Sequence, residues 1–395
     1  MPRLTNSGES HLLRGAATRF VVLFGFISLL ADMTYEGARS IIGPYLGTLG
    51  ASAAVVGIVA GLGELVGYGL RIISGYLTDR TRRYWGIAFL GYAVNLVAIP
   101  LLAVAGTWPV ASTLVVFERM GKAIRTPARD AMLSHATREI GRGRGFGLHE
   151  AMDKIGSMTG PLIIAAVLYY FDDLRAGFAL LLLPAFLALV VLLISRRLYP
   201  DPRDLERTAV SLGRRSLPRG FWGYLAGVGC IAAGYADFAL MAFHLQKASV
   251  VEVRIIPLCY SLAMGLTAMV TFFLGKWYDH AGASVLVIAT IFSSLFAPFV
   301  FLGGSALVLV GIALWSVGLG AQGSVMRAAV AHMVPSEKRG SAYGIFNTAF
   351  GACWFLGSAL MGFLYDISLP ALVVFSVLMQ LAALPVLLSV RKSLG

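Results

Sequence analysis

Charge is scarce in this chain. Asp, Glu, Lys and Arg make up 13% of its 395 residues, about half of the roughly 25% that is typical of a soluble domain. Hydrophobic residues make up 58%, and the mean hydropathy is +0.79. So few charged side chains cannot cover so much apolar surface in water. The composition therefore excludes an ordinary water-soluble globular protein and indicates a chain that folds in lipid.

Several chemical motifs are also missing. There is no GxxxxGK[ST] loop, so we expect no direct drive by ATP, and there is no HExxH or GxSxG motif that would supply a metal or a nucleophile. The histidines lack the spacing of metal ligands. We therefore expect a protein that is not an enzyme and has no cofactor and no metal site. A non-transporting sensor would need an appended soluble domain, which we do not expect from such short polar tails.

Cysteine is rare as well. The three cysteines, Cys230, Cys259 and Cys353, fall within apolar segments and lie far apart in the sequence. We interpret them as buried structural thiols.

Apolar segments long enough to cross a bilayer recur along the whole chain. A hydrocarbon core of about 30 Å needs roughly 20 helical residues, and these runs do not alternate apolar and polar residues as barrel strands would. The first run is too long for a secretory signal, so we interpret it as a retained span. The predicted spans are 20–46, 53–78, 85–105, 108–128, 146–170, 176–197, 220–245, 252–276, 283–303, 306–331, 341–365 and 369–390.

The net charge of +12 is distributed unevenly among the connections. Basic residues cluster before the first span, after the even-numbered spans and around the central loop, for example at 80–83 and 196–219. The connections GTLGAS, AGTWP and GGSA carry none. This asymmetry follows the positive-inside rule and predicts that both termini are cytoplasmic. Short loops cannot supply one contiguous basic face, so no nucleic-acid partner is expected.

The second half of the chain repeats features of the first. The segment 75–80, GYLTDR, follows the second span, and the segment 275–280, GKWYDH, follows the eighth. An internal repeat of this length indicates two related units. The predicted units are an N-terminal six-helix bundle at 1–197, a cytoplasmic linker at 198–219 and a C-terminal six-helix bundle at 220–395.

These motifs resemble a known family. The segment 75–83, GYLTDRTRR, resembles the signature that follows the second span in the major facilitator superfamily, with Arg82 where the family usually has its second glycine. The resemblance implies an all-α membrane protein of twelve transmembrane helices, in two pseudo-symmetric six-helix bundles around a central cavity. It also implies a conformational latch, for which a tight polar turn is the alternative. The latch residues are Gly75, Asp79, Arg80, Arg83 and Asp279.

The fifth span carries a second resemblance. Its glycines and proline resemble the span-five motif of proton-coupled exporters, although Ile164 and Ala165 replace the usual glycine pair after the proline. The resemblance implies an antiporter. The residues of this motif are Gly147, Gly156, Gly160 and Pro161.

Ionisable side chains inside the spans are the candidates for function, because each costs about 2.5–3.5 kcal/mol at the centre of a bilayer on insertion scales. Asp32 and Glu36 stand four residues apart in the first span, and Arg39 follows three residues later. Helical spacing places all three on one face. We hypothesise that Asp32 and Glu36 bind a proton or a cationic solute. A structural ion pair that orients the span is the alternative.

Five more ionisable residues are candidates for the proton or substrate site: Glu64, Arg119, Asp153, Asp237 and Arg327. Glu64 either faces the cavity or pairs with Arg71 or Arg119. The family resemblance implies a span-four arginine that pairs with an acid, and Arg119 is the candidate. Asp237 takes the place in the seventh span that an acid holds in the first. Arg327 has no acid near it in the sequence, so it either attracts an anionic solute or pairs across the interface.

These patterns predict a secondary active transporter that moves a small solute by alternating access. Proton-coupled efflux of a drug-like compound or metabolite is the leading hypothesis. Proton-coupled or facilitated uptake of a small metabolite, including an anionic one, is the alternative. The expected partners are the small-molecule substrate, protons as the coupling ion and the lipid bilayer. The expected form is a multi-pass monomer in the cell (plasma or inner) membrane.

Overall fold

The structure, a computed structural model, describes residues 7–140, 142–200, 218–282, 284–334 and 339–390. Within these ranges every regular element is helical and no strand occurs. The N-terminal half contains α1 (Ser7–Thr48), α2 (Ala53–Thr81), α3 (Tyr84–Leu101), α4 (Trp108–Ile140), α5 (Arg142–Phe171), α6 (Leu174–Leu180) and α7 (Leu182–Leu198). The C-terminal half contains α8 (Arg219–Ala233), α9 (Phe238–Lys247), α10 (Ile256–Ala281), α11 (Ser284–Ser294), α12 (Phe296–Phe301), α13 (Ser305–Gly323), α14 (Val325–Met333), α15 (Arg339–Ile367) and α16 (Leu369–Ser389).

These helices form twelve spans, six in each half. Eleven are long and apolar enough to cross a bilayer, and α4 is the twelfth, so the predicted all-α membrane fold is confirmed. Four spans consist of two helices in line: α6–α7, α8–α9, α11–α12 and α13–α14. The apolar pattern does not predict these interruptions. The predicted linker falls mostly on residues 201–217, outside the described residues.

The least apolar of the twelve spans is α4. The helix is 33 residues long and continues to Ile140, 12 residues beyond the predicted span. Its charged side chains point into the protein: Glu118 is 2% exposed, Arg119 9% and Arg125 0%. Because α4 packs against α1, α2, α3 and α5, these side chains are shielded from lipid. The helix can therefore cross the membrane although its sequence contains these charges.

The seventh span is broken between α8 and α9, and the break positions an acid. Asp237 is the N-cap of α9, and its carboxylate accepts a hydrogen bond from the backbone N–H of Ala239 at 3.0 Å. The indole of Trp315 supports the break by donating to the carbonyl of Ala236 at 3.0 Å. The Asp237 side chain is therefore held at the interface between the halves rather than in a continuous helix.

The span-five glycines allow α5 to pack directly on α1. A Cβ atom added at Gly156 or Gly160 would overlap the backbone carbonyl oxygens of Leu29 or Met33. Small residues at four-residue spacing permit this close approach of two helices. Gly147 differs, because no atom lies within 4 Å of the corresponding position. Pro161 lies inside α5, directly after the second contact.

The two halves meet closely at the end of the molecule opposite the chain termini, which we call the sealed end. Gly43 of α1 lies against the carbonyl of Ala239 in α9, with no room for a side chain. A Cβ atom at Gly61 of α2 would lie 2.9 Å from the Cα atom of Phe355 in α15. Asp366 of α15 accepts hydrogen bonds from the first two N–H groups of α2, at 3.3 and 2.9 Å. The halves are therefore in direct backbone contact here.

The predicted latch lies at the opposite end, after α2. Arg82 has a φ of 54°, the left-handed conformation that favours glycine, and its N–H bonds to the carbonyl of Thr78. This backbone explains why a glycine suits the position. Arg80 donates to the Tyr76 hydroxyl at 3.2 Å. Asp79 makes no side-chain hydrogen bond or ion pair with another described residue, and neither does its counterpart Asp279 or Arg83. The latch, which also includes Gly75, therefore stays a prediction.

Candidate functional site

A cavity of about 360 Å³ lies between the two halves, within the size range of small-molecule pockets. Its walls come from α1, α2, α4 and α5 on one side and from α10, α13, α14 and α15 on the other. Most lining residues lie in the middle of these helices or nearer the end of the molecule that carries the chain termini, as Arg129 of α4 and the exposed Glu150 of α5 do. The cavity is therefore open at the end that carries the termini and closed by the sealed end.

The two walls of the cavity differ in chemistry. Among the described residues, the lining acids are Asp32, Glu36, Glu64, Asp130, Glu150 and Asp153. The lining bases are Arg39, Arg71, Arg119, Lys122, Arg129, Lys154 and Arg327. All but Arg327 belong to the N-terminal half. The C-terminal wall is otherwise uncharged, and its aromatic residues are Tyr260, Trp315, Phe346, Phe350 and Trp354.

Arg39 joins the two halves at the floor of the cavity. Its Nη2 atom lies 2.9 Å from Oε1 of Glu64 in α2 and 2.7 Å from Oδ2 of Asp237 at the start of α9. Helical spacing predicted that Arg39 shares a helix face with Asp32 and Glu36, but Arg39 forms its ion pairs with residues of other spans. The reason is height: Arg39 lies about 10 Å beyond Asp32 along the helix axis, towards the sealed end.

The network continues from Arg39 into the fourth span. Oε1 of Glu64 also lies 3.5 Å from Nη2 of Arg119, whose Nε lies 3.2 Å from Oε2 of Glu118. Asn95 of α3 donates to Oε1 of Glu118 at 2.9 Å. Of the two partners that the sequence left open for Glu64, the structure places Arg119 beside it. A chain of buried polar groups therefore runs from α3 to the second half.

Glu36 connects the halves a second time. Its Oε2 atom accepts a hydrogen bond from the Tyr260 hydroxyl of α10 at 2.5 Å, and its Oε1 lies 3.8 Å from Nζ of Lys122. The Lys122 ammonium also lies 3.8 Å from the centre of the Tyr35 ring, a cation–π distance. No sequence motif pointed to Lys122, although its position three residues after Arg119 places both on one helix face.

Asp32 has a different environment from the other acids of the cavity. It is 6% exposed and accepts a hydrogen bond from the Tyr35 hydroxyl at 2.5 Å. No cationic side chain of the described residues lies within 4 Å of it, whereas each other described cavity acid has one. Asp32 is therefore a buried carboxyl group with a neutral partner only.

Asp153 faces the cavity near the termini. Its Oδ2 atom lies 3.9 Å from Nη1 of Arg129 and 3.7 Å from Nδ1 of His149. The other ring nitrogen of His149 is 2.7 Å from the Ser28 hydroxyl of α1. His149 is buried where it makes this hydrogen bond, and the contact helps α5 to pack against α1. Asp153 shares Arg129 with the neighbouring Asp130, to which Arg129 bonds at 2.9 Å.

The fold and the charged cavity can now be compared with known proteins. The family model for the Major Facilitator Superfamily matches residues 24–358 and 242–393. The chain belongs to the major facilitator superfamily. Superfamily members are transporters rather than enzymes, and membership confirms the predicted arrangement of helices around a central cavity.

Relatives in the superfamily span most of this chain. An uncharacterised protein of Mycobacterium tuberculosis is 42% identical over 383 residues, 95% of this chain and 94% of the relative. An uncharacterised MFS-type transporter of Methanocaldococcus jannaschii is 28% identical over 366 residues, 88% and 89% of the two chains. The multidrug resistance protein MdtH of Cronobacter sakazakii is 33% identical over 138 residues only, 35% of this chain and 34% of that one.

Solved superfamily structures share the fold at low sequence identity. A mutant of the nucleoside transporter NupG superposes with a TM-score of 0.75 at 12% identity, covering 93% of this chain and 99% of that one. The peptide transporter POT in complex with sulfate superposes with a TM-score of 0.75 at 14% identity, covering 95% and 96%. At such identities the likeness establishes the fold alone.

Proposed function

We propose that this superfamily member is a proton-coupled antiporter that exports a small organic solute by alternating access, with Asp32 as the carboxyl group that carries the coupling proton. The observation that supports it is the pairing of the cavity acids. Each of the others described has a cation within 4 Å, and Asp32 has only the Tyr35 hydroxyl.

Asp32 suits this role because of where it lies. A carboxylate without a cationic partner is costly to keep ionised inside a membrane protein, and binding a proton removes that cost. Asp32 also lines the cavity, where the proton and the solute would occupy the site in turn, as antiport requires. One helical turn away, Glu36 bonds to Tyr260 of the other half. A change of charge at Asp32 therefore alters the electrostatic environment of the Glu36–Tyr260 hydrogen bond, which joins the two halves.

Alternating access then requires the two ends of the molecule to exchange roles. The contacts at the sealed end, together with the Arg39–Asp237 ion pair, hold this conformation closed on one side. In the opposite conformation these contacts separate and the termini end closes, as in rocking of two bundles around a fixed site. From the positive-inside pattern we infer that the open cavity of this conformation faces the cytoplasmic side of the plasma membrane. We take a monomer as the working unit.

The proposal is tested in inverted membrane vesicles. A solute is first chosen by its thermal stabilisation of the purified protein in a panel of drug-like compounds and metabolites. We expect accumulation of that solute to increase when the vesicle interior is acidic. Asp32→Asn should keep exchange of labelled for unlabelled solute but lose the response to the pH gradient. Glu252→Gln, which changes an exposed acid outside the cavity, is the matched control. An Asp32→Asn protein that follows the gradient like the wild type would refute the role of Asp32.

Uptake of a small anionic metabolite is the second candidate. It is favoured by the two cavity arginines without a described acid partner, Arg71 and Arg327. The partial similarity to MdtH supports export instead. Right-side-out vesicles with an acidic exterior separate the two: uptake with the proton gradient contradicts the antiporter.

A further inference from the structure

The cavity holds two arginines whose charge is not balanced by the protein. Of the lining bases, those with a described carboxylate within 4 Å are Arg39, Arg119, Lys122, Arg129 and Lys154. Arg71 and Arg327 have no such carboxylate among the residues that the structure describes. Every described lining base except these two therefore has a carboxylate partner.

These two arginines line the cavity from opposite halves of the protein. Arg71 comes from α2 and Arg327 from α14, and both line the same cavity. The two helices approach through α15: Tyr343 donates to the carbonyl of Arg327 at 2.8 Å, and a Cβ atom added at the next residue, Gly344, would lie 3.7 Å from the side chain of Ile72, the neighbour of Arg71. Tyr68 lies beside Arg71, whose guanidinium is 5.0 Å from the centre of the Tyr68 ring. Two like charges in a confined space without a counterion are unfavourable, and a bound anion removes that repulsion.

Further hydrogen-bond donors surround the same space. The Nε atom of Arg71, the Nε2 atom of Gln322 and the Nε1 atom of Trp354 are buried and have no partner among the described residues. All three side chains line the cavity. Every one of these groups is a donor, so they match a ligand that offers several acceptor oxygens. Guanidinium groups bind carboxylate and phosphate oxygens with paired hydrogen bonds.

An apolar surface continues from the arginines into the second half. The Tyr68 ring packs edge-on against Phe350 at 5.7 Å between centroids, and Phe350 packs edge-on against Trp354 at 5.5 Å. The three rings line the cavity without a charged residue between them. Flat apolar groups pack well on such faces.

We propose that the cavity is a binding site for an organic anion, whose carboxylate or phosphate group lies between Arg71 and Arg327 and whose flat apolar body packs on Tyr68, Phe350 and Trp354. This inference rests on the proposed transport function and names its class of solute. Because each arginine belongs to a different half, the anion replaces repulsion between the halves by attraction to both. Binding therefore favours closure of the open end, which is the step that transport requires.

Binding to purified protein tests the site without transport. The probes are 2-naphthoate and indole-3-acetate, each compared with its neutral amide, and binding is followed by isothermal titration calorimetry and thermal stabilisation. The acids should bind at least tenfold more tightly than the amides. Arg71→Gln and Arg327→Gln should each weaken binding of the acids about tenfold, which corresponds to about 1.4 kcal/mol. Arg327→Lys should keep more affinity than Arg327→Gln. Arg254→Gln, an exposed base outside the cavity, should bind like the wild type.

Three results would overturn the site: no binding of either acid, equal affinity for acids and amides, or wild-type affinity in both glutamine variants. If those variants bind normally but fail to transport, the arginines form a gate and the proposal is wrong. Should one variant aggregate, the other carries the test. The outcome is separable from proton coupling. If the purified protein does not bind the anions but Asp32→Asn loses the response to the pH gradient, only the solute class is refuted. If the protein binds the anions but Asp32→Asn still follows the pH gradient, only the proton coupling is refuted.

Discussion

Replacement of Gly61 by alanine tests whether the sealed end controls the conformation. A Cβ atom there would lie 2.9 Å from the Cα atom and 3.0 Å from the carbonyl oxygen of Phe355, and 3.0 Å from Cβ of Ser358. Carbon atoms normally pack about 3.5–4.0 Å apart. The neighbours are backbone and Cβ atoms that cannot rotate away. The alanine therefore requires α2 and α15 to separate by about 0.5–1 Å.

The magnitude follows from the cost of overpacking, about 1–3 kcal/mol. This cost applies only while α2 and α15 are in contact, so it penalises the present conformation relative to one in which the sealed end opens. The population of the present conformation, relative to the one in which the sealed end is open, should fall by about 5- to 150-fold. The higher helix propensity of alanine, about 1 kcal/mol, acts in both conformations and cancels. Gly67→Ala on the same helix is the matched control, because no atom lies within 4 Å of that position.

Cysteine labelling measures the population ratio. A cysteine at Asn347, in the cavity wall, reports the open termini end, and one at Ile42, buried at the sealed end, reports the opposite conformation. The ratio of their maleimide labelling rates should change by at least fivefold in the Gly61→Ala background and stay constant in the Gly67→Ala background. Equal ratios in the two backgrounds would refute the claim that this backbone contact sets the equilibrium.

Two further predictions concern stability, measured as the free energy of unfolding in detergent. Arg39→Gln leaves Asp237 buried without its cation and should cost about 3–5 kcal/mol; the double variant with Asp237→Asn should recover most of that loss, and additive losses would contradict the pairing. Asp366→Ala removes the acceptor for the first two N–H groups of α2 and should cost about 0.5–2 kcal/mol, whereas Asp366→Asn should cost less. Equal losses in the two Asp366 variants would show that the cap contributes nothing.

The positions of the spans could be predicted from the sequence because the bilayer acts locally. Its thickness sets the length of each helix, and its apolar core selects the side chains along it. The fourth span shows the limit of that rule. Its inward-facing charges, such as the fully buried Arg125, are screened from lipid by neighbouring helices. Hydropathy therefore gives a weaker signal for this span than for the other eleven, and the helix continues 12 residues beyond the predicted span, to Ile140.

The partners of the charged residues could not be predicted in the same way. Helical spacing shows which side chains share a face, and Asp32, Glu36 and Arg39, which it places on one face, all line the cavity. It cannot show which helices meet. Arg39 pairs with Asp237, 198 positions away in the other half, and Glu36 is held by Tyr260, 224 positions away. Such contacts exist only after the two bundles pack.

Sequence alone determined that this chain crosses lipid as helices in two related halves, because composition and periodicity respond to the solvent around each segment. The tertiary structure decided which buried charges are balanced. Packing supplies cations from other helices to three of the six described cavity acids, Glu36, Glu64 and Asp153, whereas Asp130 and Glu150 have a cation on their own helix. It leaves Asp32 with a hydroxyl and places Arg71 and Arg327 in one cavity without a described acid partner. The physical reason is that ion pairing depends on distance in space, which the order of residues along a chain does not contain.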